Sequence, residues 1–208
     1  MTTRLVWNFE FSTTKTIPLT DLITDEQDEI KWERRFFWSE DEIIHLTCID
    51  NSLLDLANYH QKHKEDSYYL LPDSNLNIKL RRNELLYKPI LQHTPSATGF
   101  GTKINLDTIH DQTDTAEDVN SDYLGSIALE ARQKGIEVLV RKEAFIYKFP
   151  TIPHIKLELA RLEVKEHVYF SACIEGKSLY LVELLSEHLL GKQVSCEYVS
   201  FLKNIIKS

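Results

Sequence analysis

At 208 residues and 42% hydrophobic, the chain has enough apolar surface for one full core, and one larger domain with embellishments fits this length better than two. Its formal net charge of −8 leaves no surface excess of Lys and Arg to release counterions from a phosphate backbone, which excludes a dedicated nucleic-acid binder. Cys48, Cys173 and Cys196 show neither Cys-x-x-Cys nor zinc spacing, so no disulfide frame or structural zinc is expected and a reducing, cytoplasmic setting fits. No segment reaches the ~18 apolar residues of a membrane span, and MTTRLVWNFEF at the amino terminus has no signal-peptide run. Neither a membrane nor a nucleic acid is therefore an expected partner, and the oligomeric state is left open.

In chain order, residues 1–28 read as an amino-terminal extension, with a strand through LVWNFEF between polar stretches. Glu29 to Phe37 alternates and predicts a strand with Lys31, Glu33 and Arg35 on one face. Residues 39–61 begin with the Ser39-x-x-Glu42 pair of a capping box and carry apolar residues at helical spacing around Leu53, Leu54, Leu56 and Ala57, which predicts one helix or two. Leu76 to Arg81 alternates again, and a polar turn at Arg82-Asn83-Glu84 leads into Leu85-Leu86-Tyr87-Lys88, a hairpin with Lys79, Arg81 and Lys88 on one face. Residues 92–122 mix Pro, Gly, Thr and Asp and become acidic from Asp107 onward, the pattern of a solvated loop. Tyr123 to Lys134 has helix composition with Gly135 as its stop. Strands follow at 137–149, with Arg141, Lys142 and Lys148, at 153–164, with Lys156 and Glu158, and at 169–175, ending on Glu175. Two apolar stripes, Leu179 to Leu189 closed by Gly191 and then Val194 to Ile206, predict covering helices.

A strand carrying Lys-x-Arg by itself is most simply a solvated face, since Lys and Arg are rarely fully buried. Recurrence changes the reading. Several charged-face strands in one small domain either look outward around a sandwich or inward into a wet barrel wide enough for a polar ligand. No Gly-rich phosphate loop, Ser/His/Asp ordering or dinucleotide fingerprint offers a competing chemistry. Trp32, Phe36, Tyr68 and Tyr69 read as packing residues rather than nucleobase platforms.

In this order, the segments resemble the CYTH domain, or triphosphate tunnel metalloenzyme, family. KWERRFF is similar to its opening Glu-x-Glu-x-Lys strand, with Lys31 where the first Glu is expected, Glu33 at the second and Arg35 at the Lys. NIKLRRNELLYK is similar to its Lys-x-Arg strand and following Lys, DSYYLLPD to the Tyr-bearing strand and turn before it, and IKLELARLEV and FSACIEG to its late strands. The resemblance spans about Lys31 to Glu175 and rests on spacing more than identity.

That resemblance implies an α+β fold, an eight-stranded antiparallel tunnel-like barrel with flanking helices over residues 29–208. It implies phosphate-binding roles for Arg35, Lys79, Arg81 and Lys88, joined by Lys148 or by Arg141 and Lys142. It also implies a magnesium or manganese ion held by Glu33, Glu158 and Glu175, with hard oxygen ligands bridging to phosphates. Lys31 departs from the pattern. A cation there opposes a bound metal ion by roughly 4 kcal/mol at 4 Å and an effective dielectric constant near 20. Two function classes follow: a divalent-metal-dependent triphosphate phosphohydrolase, and a catalytically impaired module that binds or senses a phosphorylated small molecule. An adenylyl cyclase activity, also found in the family, is disfavoured because nothing in the sequence reads as a purine pocket.

Overall fold

Ten strand segments form one antiparallel sheet in the order β10-β7-β6-β5-β11-β12-β13-β3-β9-β8, described in a computed structural model that covers residues 2–12, 22–24, 27–111 and 118–207. The segments are β3 (Lys31–Ser39), β5 (His60–Leu70), β6 (Asn77–Arg81), β7 (Glu84–Lys88), β8 (Ile90–His93), β9 (Thr98–Phe100), β10 (Ile104–Asn105), β11 (Ile136–Lys148), β12 (Ile155–Val164) and β13 (His167–Gly176). Only Pro89 separates β7 from β8, and the Gly101 amide donates to the Pro89 carbonyl at 3.0 Å, which joins the β7–β10 ladder to the β8–β9 ladder. The ten segments are thus eight strands, two of them bent. β7-β8 pairs with β6 on one side, β9-β10 pairs with β3 on the other, and the circuit of pairing closes. Proline cannot donate to a ladder, so a bend falls naturally there.

Period-2 alternation sorts every strand into an inner and an outer face. The inner face is divided along the barrel. Its apolar end, made of Phe37, Tyr68, Leu70, Val138, Val140, Ala160, Leu162 and Val164, is filled by α3 (Tyr198–Lys207). Phe201 stacks on Phe37 with ring centroids 3.8 Å apart, and Tyr198 stacks on Tyr68 at 4.9 Å. The other end is polar and open. On the outer face, α2 (Leu179–Leu190) and a small sheet of β1 (Thr2–Val6), β2 (Phe9–Ser12) and β4 (Ile44–Thr47) cover Trp32, Phe36, Leu157, Leu159, Ala172 and Ile174. α1 (Asp118–Lys134) covers the β6–β7 hairpin through Ile127, Ala128 and Ala131.

Three local expectations are corrected. The predicted helix over 39–61 is absent: Ile44 and Leu46 are buried in alternation as β4 runs parallel to β2. The Ser39–Glu42 contact does form, with the Glu42 carboxylate accepting from the Ser39 amide at 2.9 Å, but it closes the turn between β3 and β4. The helical spacing at 53–57 resolves into two short 3-10 turns, Asn51–Leu54 and Leu56–Asn58, each begun by a capping Asp side chain, Asp50 and Asp55, with the extended backbone of Asp55 also ending the first. The predicted loop over 92–122 contributes strands instead. Thr98, Gly99 and Phe100 are all buried, and a Cβ on Gly99 would sit 2.6 Å from Ile30 Cδ1, so a larger residue there would have to displace the Ile30 side chain where β9 meets β3. Leu106–Asp111 is a 3-10 turn and α1 starts at Asp118, while 112–117 lie outside the described residues.

The amino-terminal extension is two strands rather than one, and it is core: Phe9 and Phe11 are 0% exposed. The Asn8 side-chain amide ties the hairpin down by donating to the Glu40 and Glu42 carbonyls at 2.6 and 3.0 Å. The polar stretches at 13–21 and 25–26 lie outside the described residues. The later helices form with Gly135 capping α1 and Gly191, at φ 68°, ending α2, but the last starts at Tyr198 rather than at Val194, which is exposed and lies outside it. Among the described residues, no helix is long and apolar enough to cross a membrane.

Candidate functional site: a basic cavity in the barrel

The polar half of the barrel encloses a cavity of about 760 Å³. Its cations come from every side: Lys31 and Arg35 on β3, Lys62 and Lys64 on β5, Lys79 and Arg81 on β6, Lys88 on β7, Lys103 between β9 and β10, Lys142 and Lys148 on β11, and Lys156 on β12. Against these eleven stand four lining carboxylates, Glu33, Glu158, Glu175 and Glu197. Alternation explains the concentration. A one-residue shift of any of these strands would carry its charges to the outer face, whereas here the cations gather inside a protein whose formal net charge is −8.

Of the predicted phosphate-binding residues, Arg35, Lys79, Arg81, Lys88, Lys142 and Lys148 all line the cavity. Arg141 does not. It lies on the opposite face of β11, where it pairs with Glu65 at 2.9 Å on the exposed outer surface. The lysines at 142 and 148 share parity with the buried Ala144, so the inward contribution of this strand comes from them.

Most of the predicted clamp is already occupied by the protein's own carboxylates. Asp66 takes a two-pronged contact from Arg81 and a 3.0 Å contact from Lys79. Glu33 accepts from Lys88, whose ammonium also sits 3.7 Å above the Phe100 ring. Glu158 accepts from Arg35 at 3.0 Å and Lys142 at 2.8 Å, and Arg35 donates on to Ser171 at 3.2 Å. Lys31 pairs with Glu175 at 2.7 Å.

Burial would raise the Glu33 carboxyl, yet Lys88, Arg35 and Lys31 together pull it down to about 2. Glu158 is likewise held far below the usual carboxylate range, burial being outweighed by Lys142 and Arg35. The lysines divide. Burial lowers Lys31, but Glu175 and Glu33 outweigh it and hold its pKa raised. Lys79 is only 9% exposed, and burial with Arg81 nearby pushes it down to about 7 against the pull of Asp66. Lys64 falls to about 8 through burial and the adjacent Lys142, Arg81 and Lys103, against Glu158.

The three predicted metal carboxylates are not brought together. Glu33 and Glu175 are cross-strand partners, but the third member of their group within 4.8 Å is the Cys173 sulfur, while Glu158 turns to Arg35 and Lys142. Burial pushes the Cys173 thiol far up, with Glu33, Glu175 and Glu158 adding to the shift. A protonated thiol and two carboxylates already paired with ammonium groups do not make the oxygen-rich shell that magnesium or manganese requires. The residues present do not fit that ion.

Sequence reasoning passed over Lys62, Lys64, Lys103 and Asp66. The signal for three of them was present: His60, Lys62, Lys64, Asp66 and Tyr68 recur at every second residue, all inward on β5. A helix assigned through Gln61 broke that alternation at its start.

No protein-family model matches the chain, and no curated protein matches its sequence. Among solved structures, the crystal structure of a putative adenylate cyclase from Bacillus halodurans is similar to it, with 14% identity and a TM-score of 0.43 over 82% of this chain and 94% of that one. The functional reading therefore rests on the cavity itself.

Proposed function

We propose that this protein binds a small phosphorylated molecule of the triphosphate class in the barrel cavity. The observation that carries the reading is the excess of Lys and Arg over carboxylates in one cavity of an acidic chain. Such a space concentrates field and favours a compact polyanion, each phosphoryl oxygen accepting charge-assisted hydrogen bonds. The CYTH-like order of the strand motifs supports the same ligand class. Isothermal titration with sodium tripolyphosphate tests it: saturable binding is expected, with inorganic phosphate much weaker, and absence of heat across the micromolar to millimolar range removes the proposal.

The pH dependence has a definite sign. Tripolyphosphate gains negative charge as pH rises, but Lys79 and Lys64, at about 7 and 8, lose positive charge over the same interval. Affinity is expected to fall from pH 7 to pH 9. Titrations at both values check this, and constant or rising affinity would remove these two lysines from the binding energy.

Between the two function classes, we favour binding without hydrolysis, because Lys31 and Lys88 already hold the carboxylates that a metal ion would need. Lys31→Glu removes one of those cations and adds a hard oxygen ligand. Magnesium- or manganese-dependent phosphate release from tripolyphosphate is expected to be absent in the wild type and to appear or rise in this variant. Brisk metal-dependent turnover by the wild type, lost in Lys31→Glu, would establish the phosphohydrolase instead.

A further inference from the structure

Once the internal ion pairs are assigned, the cavity cations fall into two sets. Lys31, Arg35, Lys79, Arg81, Lys88 and Lys142 each hold a carboxylate of the barrel. Lys62, Lys64, Lys103, Lys148 and Lys156 line the same cavity and, among the described residues, make no ion pair or side-chain hydrogen bond. Resting on the reading of the cavity as a triphosphate-class site, we propose that these five lysines form the anion subsite, and that it takes a short polyphosphate or triphosphate ester as the metal-free anion.

The register sets four of the five in two pairs at different levels of the barrel, Lys148 with Lys156 and, at the level of Lys142 and Ala144 on the same strand, Lys64 with Lys62. Lys148 on β11 is the cross-strand partner of Lys156 on β12, and Lys64 on β5 is the partner of Lys142 on β11. Lys62 lies two residues from Lys64 on the same inward face. Lys64 and Lys156 are half-buried, while Lys62, Lys103 and Lys148 are exposed, so each pair offers the anion one sheltered lysine beside one exposed lysine. The lowered pKa values of Lys64 and Lys103, from burial and then repulsion by neighbouring cations against the weaker pull of Glu158 and Glu33, agree with ammonium groups that make no direct ion pair.

Paired cations are poor alternatives. A phosphate that took Arg81, Arg35 or Lys88 would leave Asp66, Glu158 or Glu33 buried beside new negative charge, a cost the unpaired lysines do not incur. The same pairing removes the need for a divalent ion. With no free carboxylate cluster to anchor it, a magnesium ion on the phosphates only lowers the charge that the lysines recognise.

The test is titration of sodium tripolyphosphate into wild type, Lys64→Met, Lys156→Met and, as a control outside the cavity, Lys192→Met, each in EDTA and in excess magnesium. Because Lys64 and Lys156 hold no carboxylate, their replacement strands no charge, and thermal melts of each variant verify the fold. Binding in EDTA that weakens at least tenfold in Lys64→Met and in Lys156→Met, is unchanged in Lys192→Met and falls at least threefold with magnesium is the expected result. The charge reversal Lys148→Glu, at an exposed position, is expected to weaken binding further still. Wild-type binding in EDTA that is indifferent to Lys64, Lys156 and Lys148 overturns the subsite while leaving the triphosphate reading intact. Binding that requires magnesium overturns the metal-free anion, and binding in neither buffer overturns the reading on which the inference rests.

Discussion

Replacing Glu158 by alanine is expected to cost about 3–5 kcal/mol of unfolding free energy at pH 7, the range for breaking a buried ion pair on one side only. Glu158 is 8% exposed and, among the described residues, is the one carboxylate contacting both Arg35 and Lys142. Its removal leaves two cations facing each other in low dielectric, with Arg35 retaining Ser171 and the Tyr198 ring 5.3 Å away. Urea unfolding followed by tryptophan fluorescence measures the loss. Adding Arg35→Met to the same chain is expected to return part of it, since the double variant no longer strands the guanidinium. A loss below about 1 kcal/mol would mean that water reaches the pair, as at an exposed salt bridge.

The acid limb of stability follows from the same contacts. Glu33 and Glu158 have folded pKa values below the 4.5 of a free carboxyl. The stability they contribute is therefore complete above pH 4.5 and is lost as pH falls toward 2, where Glu33 takes up its proton.

Phe201→Ala is expected to destabilise by about 3–5 kcal/mol, the range for emptying a large aromatic site in a core. The ring lies flat against Phe37 and edge-on to Tyr169, 5.2 Å away, so its loss opens the apolar end of the barrel rather than a surface dimple. Differential scanning calorimetry measures it. Phe201→Leu, which keeps most of the volume, is expected to cost clearly less. Equal and small effects of both variants would show that α3 is not a structural stopper of the barrel.

Alternation along β3, β6, β7, β12 and β13 was legible from the residues alone, because a strand with one wet and one dry face writes a period of two into its sequence. That pattern placed Lys31, Glu33, Arg35, Lys79, Arg81, Lys88, Glu158 and Glu175 on shared faces, and the Gly135 and Gly191 stops bounded the helices correctly. Which face looks inward was not local information. Arg141 and Lys142 are neighbours in sequence, and only the pairing of β11 with β5 and β12 sends one to the solvent and the other to Glu158. The helix predicted from Ser39 gave way at 44–47 to tertiary pairing, since burying Ile44 and Leu46 against β2 outweighs weak local propensity, while the helical spacing at 53–57 survives only as two short 3-10 turns. The partnership of charges was decided last and at longest range. Asp66 meets Lys79 and Arg81 from an adjacent strand, and Glu33 meets Lys88 across 55 residues of chain. Residue type alone therefore determined that this protein gathers positive charge, and the closed barrel decided which of those charges its own carboxylates hold, because ion pairing depends on distance in space and burial rather than on order along the chain.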